Sequence, residues 1–378
     1  MSVRLLDPAT MTATDWPAGS EMLRAFTGGF AQQGVTRLVA NLRTELRLLH
    51  TGHAVLPVTI NEADYGNTYT CSPYTAYATY AKEETRLLRD RWWCPALGAL
   101  ADSAGAVLKA ARINQMVQVN NWMVSTNLLR RDATWNLDAI TEVLREKFPQ
   151  HFICFRSLNA WSDAALLGQF RASGYKLVAS RQVYVFEDFA RTWLTTHNAK
   201  LDRQLLARME FRVIAHDELG EADYARMAEL YRQLYIEKYS RLNPQFTAAY
   251  LRLCHRARVM TFFGLRAPAG KLVGILGLFA IDGIVTAPIV GYDTSLDSRL
   301  GLYRLLMTLT FQFAMQHGLR LNLSSGAAQF KRLRGGSPQI EYSVIYDRHL
   351  TPARRFAVST LAAVTNGLGV PLMRKFQL

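Results

Sequence analysis

The stretch KLVGILGLFAIDGIVTAPIVGYDTS (271–295) consists of two apolar runs joined by Asp282 and Gly283. An Asp-Gly pair between apolar runs is a strong signal for a tight turn between antiparallel strands. The following segment, RLGLYRLLMTLTFQFAMQHG (299–318), has apolar residues at helical spacing, and LNLSSGAAQFKRLRGG (321–336) begins as a strand. This order of two strands, a helix and a further strand predicts a mixed α/β fold.

The upstream half of the chain repeats this order of elements without repeating the residues. A charged segment of helical pattern, ARTWLTTHNAKLDRQLLARME (190–210), lies between the two halves. We therefore predict two α/β domains of ordinary size, comprising residues 1–195 and 196–378.

The composition narrows the classes of partner and site. The chain has 378 residues and a formal net charge of +14 at pH 7. Such a charge favours a polyanionic partner: nucleic acid, a phosphorylated cofactor, an acidic carrier protein or an anionic membrane surface. The four cysteines form no C-x-x-C pair, so we expect four separate thiols in a reducing compartment. The eight histidines show no ligand spacing, so no metal is predicted.

The terminal segments bear on localisation. The N-terminal segment lacks the apolar core of a signal peptide, and no stretch reaches the uncharged apolar length that a spanning helix needs. We therefore expect a cytoplasmic protein without a membrane span. The C-terminal FAVSTLAAVTNGLGVPLMRKFQL (356–378) is apolar and ends in basic residues. It is either a core-packing helix or an element that docks on a membrane surface or a partner.

The order of elements in the second half resembles that of the GNAT acyltransferases, in which a helix N-terminus faces the cofactor phosphates. Such a terminus offers free N–H groups and a positive dipole to an anion. The usual signature of that loop is Arg/Gln-x-x-Gly-x-Gly/Ala. Here Arg299 precedes Gly301 by one residue too few, and Tyr303 replaces the second small residue. This departure argues against routine acetyl-CoA binding at the loop.

Over nearly its full length the chain resembles the Fem-type branch of this superfamily, whose members consist of two GNAT-like halves. The resemblance implies two GNAT-like domains in tandem, each a mostly antiparallel, centrally splayed sheet flanked by helices. It also implies the transfer of an acyl or aminoacyl group from acyl-CoA, an acyl carrier protein or aminoacyl-tRNA to the amine of a small molecule or amino acid. The stretches that carry it are YIEKYSRLNPQFT (235–247), GYDTS (291–295), LNLSSGAAQFKRLRGG, IEYSVIYD (340–347), VNNWMVSTNLL (119–129), FRSLN (155–159) and GYKLVASRQVYVFE (174–187).

The resemblance places the chemistry beside two motifs of the second half. Transfer to an amine needs a base, because an ammonium is not a nucleophile. The reaction is also faster when hydrogen-bond donors lie near the developing oxyanion. We predict that Asp293 accepts the proton, that Tyr292 donates to the leaving group, and that Lys238 and Tyr239 face the site. The alternatives are that Asp293 shapes the entry to the next helix and that Lys238 complements a helix C-terminus.

Residues 321–336 run from an apolar strand through small residues into three cations. We predict that Ser324 and Ser325 form the floor of a substrate channel. Lys331 and Arg334 would bind the phosphate or carboxylate of the donor together with the loop of Arg299. An ordinary solvated basic loop is the alternative.

The first half supplies further predicted contacts with the substrate. Tyr69 belongs to a tyrosine-rich stretch that suits recognition of an extended partner, although a peripheral core explains it equally well. Asn127, Arg156 and Asn159 lie at the ends of neighbouring predicted strands, where they would line a cleft between the halves, with Arg156 available for a carboxylate. An Arg anchored structurally across a sheet end is the alternative.

These observations lead to one hypothesis and one alternative. The hypothesis is an amide-forming N-acyltransferase that binds its substrates in the cleft between the halves. The alternative is a tandem GNAT fold without catalysis that binds nucleic acid or a cell-wall precursor.

Overall fold

The computed structural model describes residues 3–12, 15–85, 94–130 and 135–376. Within these residues the fold is mixed α/β, and one sheet of twelve strands runs through both halves of the chain. Its strands are β1 (Arg4–Leu6), β2 (Glu45–His50), β3 (Val55–Asn61), β4 (Met116–Val119), β5 (Phe152–Asn159), β6 (Lys176–Phe186), β7 (Arg212–Ile214), β8 (Thr261–Arg266), β9 (Leu272–Ile281), β10 (Ile284–Tyr292), β11 (Arg320–Asn322) and β12 (Ser337–Tyr346).

Helices cover both faces of the sheet. Three π-helical segments, Thr75–Tyr80, Arg232–Tyr239 and Thr365–Gly369, continue or precede α-helices. The α-helices are α1 (Glu21–Gln33), α2 (Val35–Leu38), α3 (Ala81–Thr85), α4 (Cys94–Ala110), α5 (Leu137–Lys147), α6 (Ala160–Ala172), α7 (Phe189–Thr192), α8 (His197–Arg208), α9 (Tyr224–Tyr231), α10 (Ala248–Arg256), α11 (Leu302–Gln316), α12 (Ala328–Arg332), α13 (Pro352–Val364) and α14 (Val370–Phe376).

The predicted hairpin and the helix after it are present. β9 and β10 pair antiparallel on either side of Asp282 and Gly283, whose φ angles are 49° and 74°. A two-residue turn of this kind needs positive φ at both positions, which Asp and Gly tolerate. α11 then follows, and its buried residues, among them Leu305, Leu306 and Phe311, pack on the sheet.

The strand order shows two similar halves that exchange their last strands. It runs β1-β2-β3-β4-β5-β12-β6-β11-β10-β9-β8-β7. Each half contains one parallel pair, β4 with β5 and β10 with β11. β6, from the first half, lies beside β11 of the second, and β12, from the second half, lies beside β5 of the first. The central pair β6·β12 therefore joins the halves by backbone hydrogen bonds.

Helices also cross between the halves. Phe26 and Phe30 of α1 share a core cluster with Tyr250 of α10, and the rings of Phe26 and Tyr250 lie 6.3 Å apart. The predicted boundary between residues 195 and 196 falls between α7 and α8 and stays a prediction. Because the two halves exchange strands and pack helices against each other, one continuous sheet runs through both of them.

The C-terminal residues form one helical run, Pro352–Phe376. By length and composition alone it is long and apolar enough to cross a membrane. The expectation that no stretch reaches this length was therefore wrong. Ser359, Thr360, Thr365 and Asn366 interrupt the apolar residues of the run, but they are uncharged, so its mean hydropathy stays high. One side of the run, including Ala357, Val358 and Leu361, is buried against the protein.

Candidate active site

The parallel strands β10 and β11 separate soon after they begin to pair. Their partners are Ile284–Thr286 and Arg320–Asn322. Beyond Thr286 the register of β10 with β9 also shifts, and Pro288 at this irregularity has no N–H to give to a ladder. The chain after β11 instead follows β6, with the Leu323 N–H donating to the Tyr184 carbonyl at 2.9 Å. The two strands therefore leave a V-shaped opening.

A cavity of about 420 Å³ lies at this opening, between the two halves. β10 contributes Ala287 and Val290, and the chain after β11 contributes Leu323, Ser324 and Ser325. Six tyrosines line it, three from each half: Tyr69, Tyr77, Tyr80, Tyr235, Tyr239 and Tyr303. Large apolar rings with polar hydroxyls suit an extended ligand that carries few charges.

An ion pair at the exchanged strands lies against the cavity. Arg181 on β6 and Glu341 on β12 are direct register partners, and the Arg181 Nε donates to the Glu341 Oε1 at 2.8 Å. The Glu341 side chain is 3% exposed, and that of Arg181 is 20% exposed. Burial by itself lowers the pKa of the Arg181 guanidinium, but the Glu341 carboxylate more than offsets this effect and holds the pKa above its usual range.

This pair was not among the residues that the sequence patterns predicted. The sequence held one signal for it. The strand-like segments KLVASRQVYVF and SPQIEYSVIY contain a single Arg and a single Glu, and buried charges are rarely left unpaired.

Lys331 explains why residues 321–336 change character. It is 3% exposed and lines the cavity, and its Nζ donates to the carbonyls of Leu323 at 2.7 Å, Ser324 at 3.2 Å and Ser325 at 2.8 Å. Ser324 and Ala327 have φ angles of 58° and 46°. The small residues thus form a tight turn, and the lysine folds back to bind its carbonyls, of which that of Ser324 also accepts from the Tyr184 N–H of β6 at 3.1 Å.

The charge state of Lys331 is finely balanced. Burial, reinforced by the nearby positive charge of Arg181, lowers the pKa of the Lys331 amine to about 7. An amine with this pKa exists in both forms at neutral pH, so it can accept or donate a proton in the cavity.

Arg334 does not line the cavity. It is 4% exposed, and its Nε donates to the Asp202 Oδ2 at 2.5 Å, while the Arg304 Nε binds the other oxygen of Asp202 at 2.6 Å. Arg334 therefore joins α8 to the turn after α12. The structure argues against its predicted donor-binding role, because the guanidinium is buried against a carboxylate away from the cavity.

Asp293 is likewise absent from the cavity wall. Its Oδ2 accepts from Arg226 Nη2 at 2.5 Å and from Lys271 Nζ at 3.1 Å, and its Oδ1 accepts from Ser295 Oγ at 2.5 Å. Burial alone raises the pKa of the Asp293 carboxyl, but the hydrogen bonds from Ser295, Lys271 and Arg226 hold the pKa well below its usual range. A carboxylate with so low a pKa is a weak base, so the structure argues against the predicted base role.

Lys238, Tyr239 and Tyr292 come together near the mouth of the cavity. Lys238 Nζ donates to Tyr292 Oη at 3.3 Å, and this hydrogen bond raises the pKa of Lys238. Tyr239 is 58% exposed and lines the cavity, whereas Lys238 and Tyr292 lie outside its wall. The chain thus brings these three predicted residues together, with Tyr239 alone in direct reach of a bound ligand.

The end of α9, which continues directly into the π-helical segment that carries Tyr235 and Tyr239, packs tightly against β10. A Cβ on Gly291 would lie 2.6 Å from the backbone carbon of Leu230 and 2.6 Å from the backbone nitrogen of Tyr231. Only glycine allows this approach, which sets how far the tyrosines project over the V-shaped opening.

The three residues of the predicted donor-binding loop lie in three different environments. Arg299 is exposed and its Nε donates to Asp297 at 2.8 Å. Gly301 precedes α11 with a φ of 64°, and a Cβ there would lie 2.7 Å from Leu205 of α8. Tyr303 lines the cavity, and burial raises the pKa of its hydroxyl.

The four predicted residues of the first half divide into two pairs. Tyr69 and Arg156 line the cavity, and Arg156 Nη1 donates to the Thr70 carbonyl at 2.9 Å. Asn127 and Asn159 are buried elsewhere: Asn127 Oδ1 accepts from the Trp122 N–H at 3.0 Å, and Asn159 Oδ1 caps the first turn of α6. These bonds give both asparagines a structural role and no contact with the cavity.

The cysteines offer no activated nucleophile among the described side chains. Cys71, Cys154 and Cys254 are free and buried, and the side chain of Cys94 lies outside the described part of the chain. Cys154 lines the cavity, but burial raises the pKa of its thiol to about 12. In the described residues no group of His, Cys, Asp and Glu side chains could hold a metal ion.

Residues 189–332 match the family model of the Acetyltransferase (GNAT) domain. The matched segment runs from α7 to α12 and includes β10, β11 and the V-shaped opening between them. The match covers 144 of the 378 residues and falls in the half whose order of elements resembles that of the GNAT acyltransferases. No curated protein matches the sequence.

Several solved structures are similar to this chain at low sequence identity. L-PGS from Bacillus licheniformis is 14% identical, with a TM-score of 0.44 over 59% of this chain and 77% of that one. FemX is 10% identical, with a TM-score of 0.43 over 80% and 88%. A tandem GNAT protein from the clavulanic acid biosynthesis pathway is 10% identical, with a TM-score of 0.40 over 91% and 98%.

Proposed function

We propose that this protein is an N-acyltransferase that joins an activated acyl or aminoacyl group to an amine inside the cavity between its halves. One observation carries the proposal: the V-shaped opening of β10 and β11 in a GNAT domain leads directly into a cavity that holds a buried amine, Lys331, with a pKa of about 7. The cavity thus combines room for an acyl group with a group able to move a proton at neutral pH.

In the proposed reaction the neutral amine of the acceptor attacks the carbonyl carbon of the donor. A C–N bond forms, and the C–S or C–O bond of the donor breaks. Lys331, in its neutral form, takes the proton that the attacking nitrogen loses and then passes it to the departing thiolate or alkoxide, which leaves as the thiol or alcohol. The carbonyls of Leu323, Ser324 and Ser325 hold the lysine in place and favour its return to the ammonium form.

Direct transfer fits the cavity better than a covalent acyl-enzyme. Cys154 is a cavity thiol, and its pKa of about 12 keeps it protonated at neutral pH. The thiolate is the nucleophilic form of cysteine, so Cys154 is a poor acceptor of the acyl group. The amine substrate therefore attacks the donor without an intermediate on this residue.

The acceptor and the donor meet the cavity from different sides. The first half supplies Arg156, a planar cation that suits the carboxylate of an amino-acid acceptor. The second half supplies Tyr239 at the mouth and Tyr303 within, on the side from which α11 begins. A donor with an anionic carrier would lie along this side, beside the exposed Arg299.

The experiment is an assay of transfer with each donor class. The purified protein is given acyl-CoA thioesters, acyl carrier protein thioesters or aminoacyl-tRNA with a mixture of amino acids and small amines. Thioester donors are followed by the release of free thiol, and the tRNA donor by loss of activity on ribonuclease treatment. Lys331→Met is the test variant, and Lys200→Met, an exposed lysine on α8, is the matched control.

A donor whose turnover is lost in Lys331→Met and kept in Lys200→Met supports the proposal. If every donor class fails while a donor or acceptor binds tightly, the chain is the non-catalytic binding module of the alternative hypothesis. If turnover survives Lys331→Met at the rate of the control, the proton passes elsewhere and the assigned mechanism is wrong.

A further inference from the structure

The C-terminal run Pro352–Phe376 presents three different sides. The first packs on the protein: Arg354 is 9% exposed, and its Nε and Nη1 donate to the carbonyls of Ala111 at 2.9 Å and Gln150 at 2.6 Å. Asn366 Nδ2 donates to the Leu177 carbonyl of β6 at 2.8 Å. These contacts hold the run along the sheet.

The second side forms part of the cavity wall. Its residues come from the π-helical segment and α14: Thr365, Gly369, Leu372, Met373 and Phe376. The run therefore lies between the candidate active site and the outside of the molecule.

The exposed part of the run carries two large apolar side chains. Phe356 is 69% exposed, more than any other large hydrophobic side chain among the described residues, and Leu368 is 56% exposed. In the most apolar 18-residue window of the run, 22% of the window is buried inside the protein. A long apolar helix that is mostly exposed is typical of a surface that contacts a partner or a membrane.

The charged residues of the run are all basic. Residues 352–376 contain no Asp and no Glu, while Arg355, Arg374 and Lys375 are exposed. Apolar side chains with basic residues beside them are the pattern of a helix that lies in the headgroup region of an anionic bilayer. A second copy of this chain would bring the same cations together, and like charges that face each other oppose such a dimer.

We propose that the exposed side of Pro352–Phe376 docks on the surface of an anionic phospholipid bilayer. The run lies in the plane of the interface and does not span the bilayer, because spanning would break the hydrogen bonds that Arg354 and Asn366 make to the rest of the protein. Docking brings the cavity wall that the run forms to the lipid surface. This placement does not depend on the chemistry proposed above, although together with it, it favours a long-chain acyl group as the cavity ligand.

Vesicle flotation of the full chain tests the docking surface. We expect binding at low salt to vesicles of phosphatidylcholine mixed with phosphatidylglycerol to be about tenfold stronger than to phosphatidylcholine alone, and to weaken as salt rises. Phe356→Ser and Leu368→Ser should each weaken binding about tenfold, because each removes an apolar side chain from the interface. Met315→Ser on α11, which replaces an exposed apolar residue outside this run, should bind like the unaltered protein.

The urea midpoint of each variant is measured alongside, since a change on an exposed side should leave it unchanged. Equal flotation of the unaltered protein and a Phe356→Ser, Leu368→Ser double variant would overturn the proposal, as would no binding to either vesicle. A dimer in light scattering that the double variant converts to a monomer, without vesicle binding, would assign this side to a second copy. Transfer of a short, water-soluble acyl group tests the proposed function separately, because it needs no vesicle.

Discussion

Replacing Glu341 with glutamine leaves the Arg181 guanidinium facing a neutral amide at the centre of the sheet. Removing one partner of a buried ion pair costs about 3–5 kcal/mol. We expect about 3 kcal/mol, the lower end, because Arg181 keeps 20% side-chain exposure towards the cavity. Arg181→Met should cost a similar amount, since it leaves a buried carboxylate. The Arg181→Met, Glu341→Gln double variant should cost less than the sum of the two single changes, because no unpaired charge remains.

The measurement is urea unfolding of the four proteins at pH 7, followed by fluorescence. The pair Arg212 and Glu218, whose side chains are 66% and 43% exposed, is the matched control, and its disruption should cost about 1 kcal/mol or less. A coupling energy near zero between Arg181 and Glu341, or single variants that match the surface control, would refute the interpretation of this pair as the electrostatic join between the halves.

Three further predictions concern the site and its support. Gly291→Ala should cost about 3 kcal/mol in urea unfolding, because its Cβ must displace the backbone of Leu230, whereas Gly168→Ala, with open space around it, should cost nothing. Lys331→Met should slow transfer at least about 100-fold, and the unaltered enzyme should gain rate as pH rises through about 7, where the lysine becomes neutral; a flat profile would remove Lys331 as the base. The pKa of Asp293 is lowered by folding, so the ionised carboxylate stabilises the folded protein fully above pH ~4, and this stabilisation is lost as the pH falls. Asp293→Asn should therefore be less stable than the unaltered protein at pH 7 and should lose less stability between pH 5 and pH 2. Thermal unfolding at each pH measures both effects.

Local sequence predicted much of the second half correctly. The Asp282-Gly283 turn, α11 and β12 lie where the patterns place them, because a turn and a helix depend on the dihedral preferences and hydrogen bonds of near neighbours. The exchange of β6 and β12 was not predictable from such patterns. Strand partners are chosen by packing over the whole sheet, and a buried strand has the same apolar composition whichever neighbour it pairs with.

The candidate site divides in the same way. Seven of the predicted residues line the cavity: Tyr69, Arg156, Tyr239, Tyr303, Ser324, Ser325 and Lys331. Their roles towards a substrate stay predictions. Asp293 and Arg334 have the residue types that the chemistry needs, but each forms ion pairs with residues far away in sequence. Sequence alone cannot show that those partners neutralise them.

The sequence by itself determined the order of elements, the hairpin, the helix that follows and the presence of a basic turn after β11. Tertiary structure alone decided which charges face the cavity. Arg181 meets Glu341 across 160 residues, and Lys331 becomes a buried amine because the chain between Leu323 and Ser325 turns its carbonyls towards it. The physical reason is desolvation: the pKa and the partner of a charged group depend on what the whole fold removes from water around it.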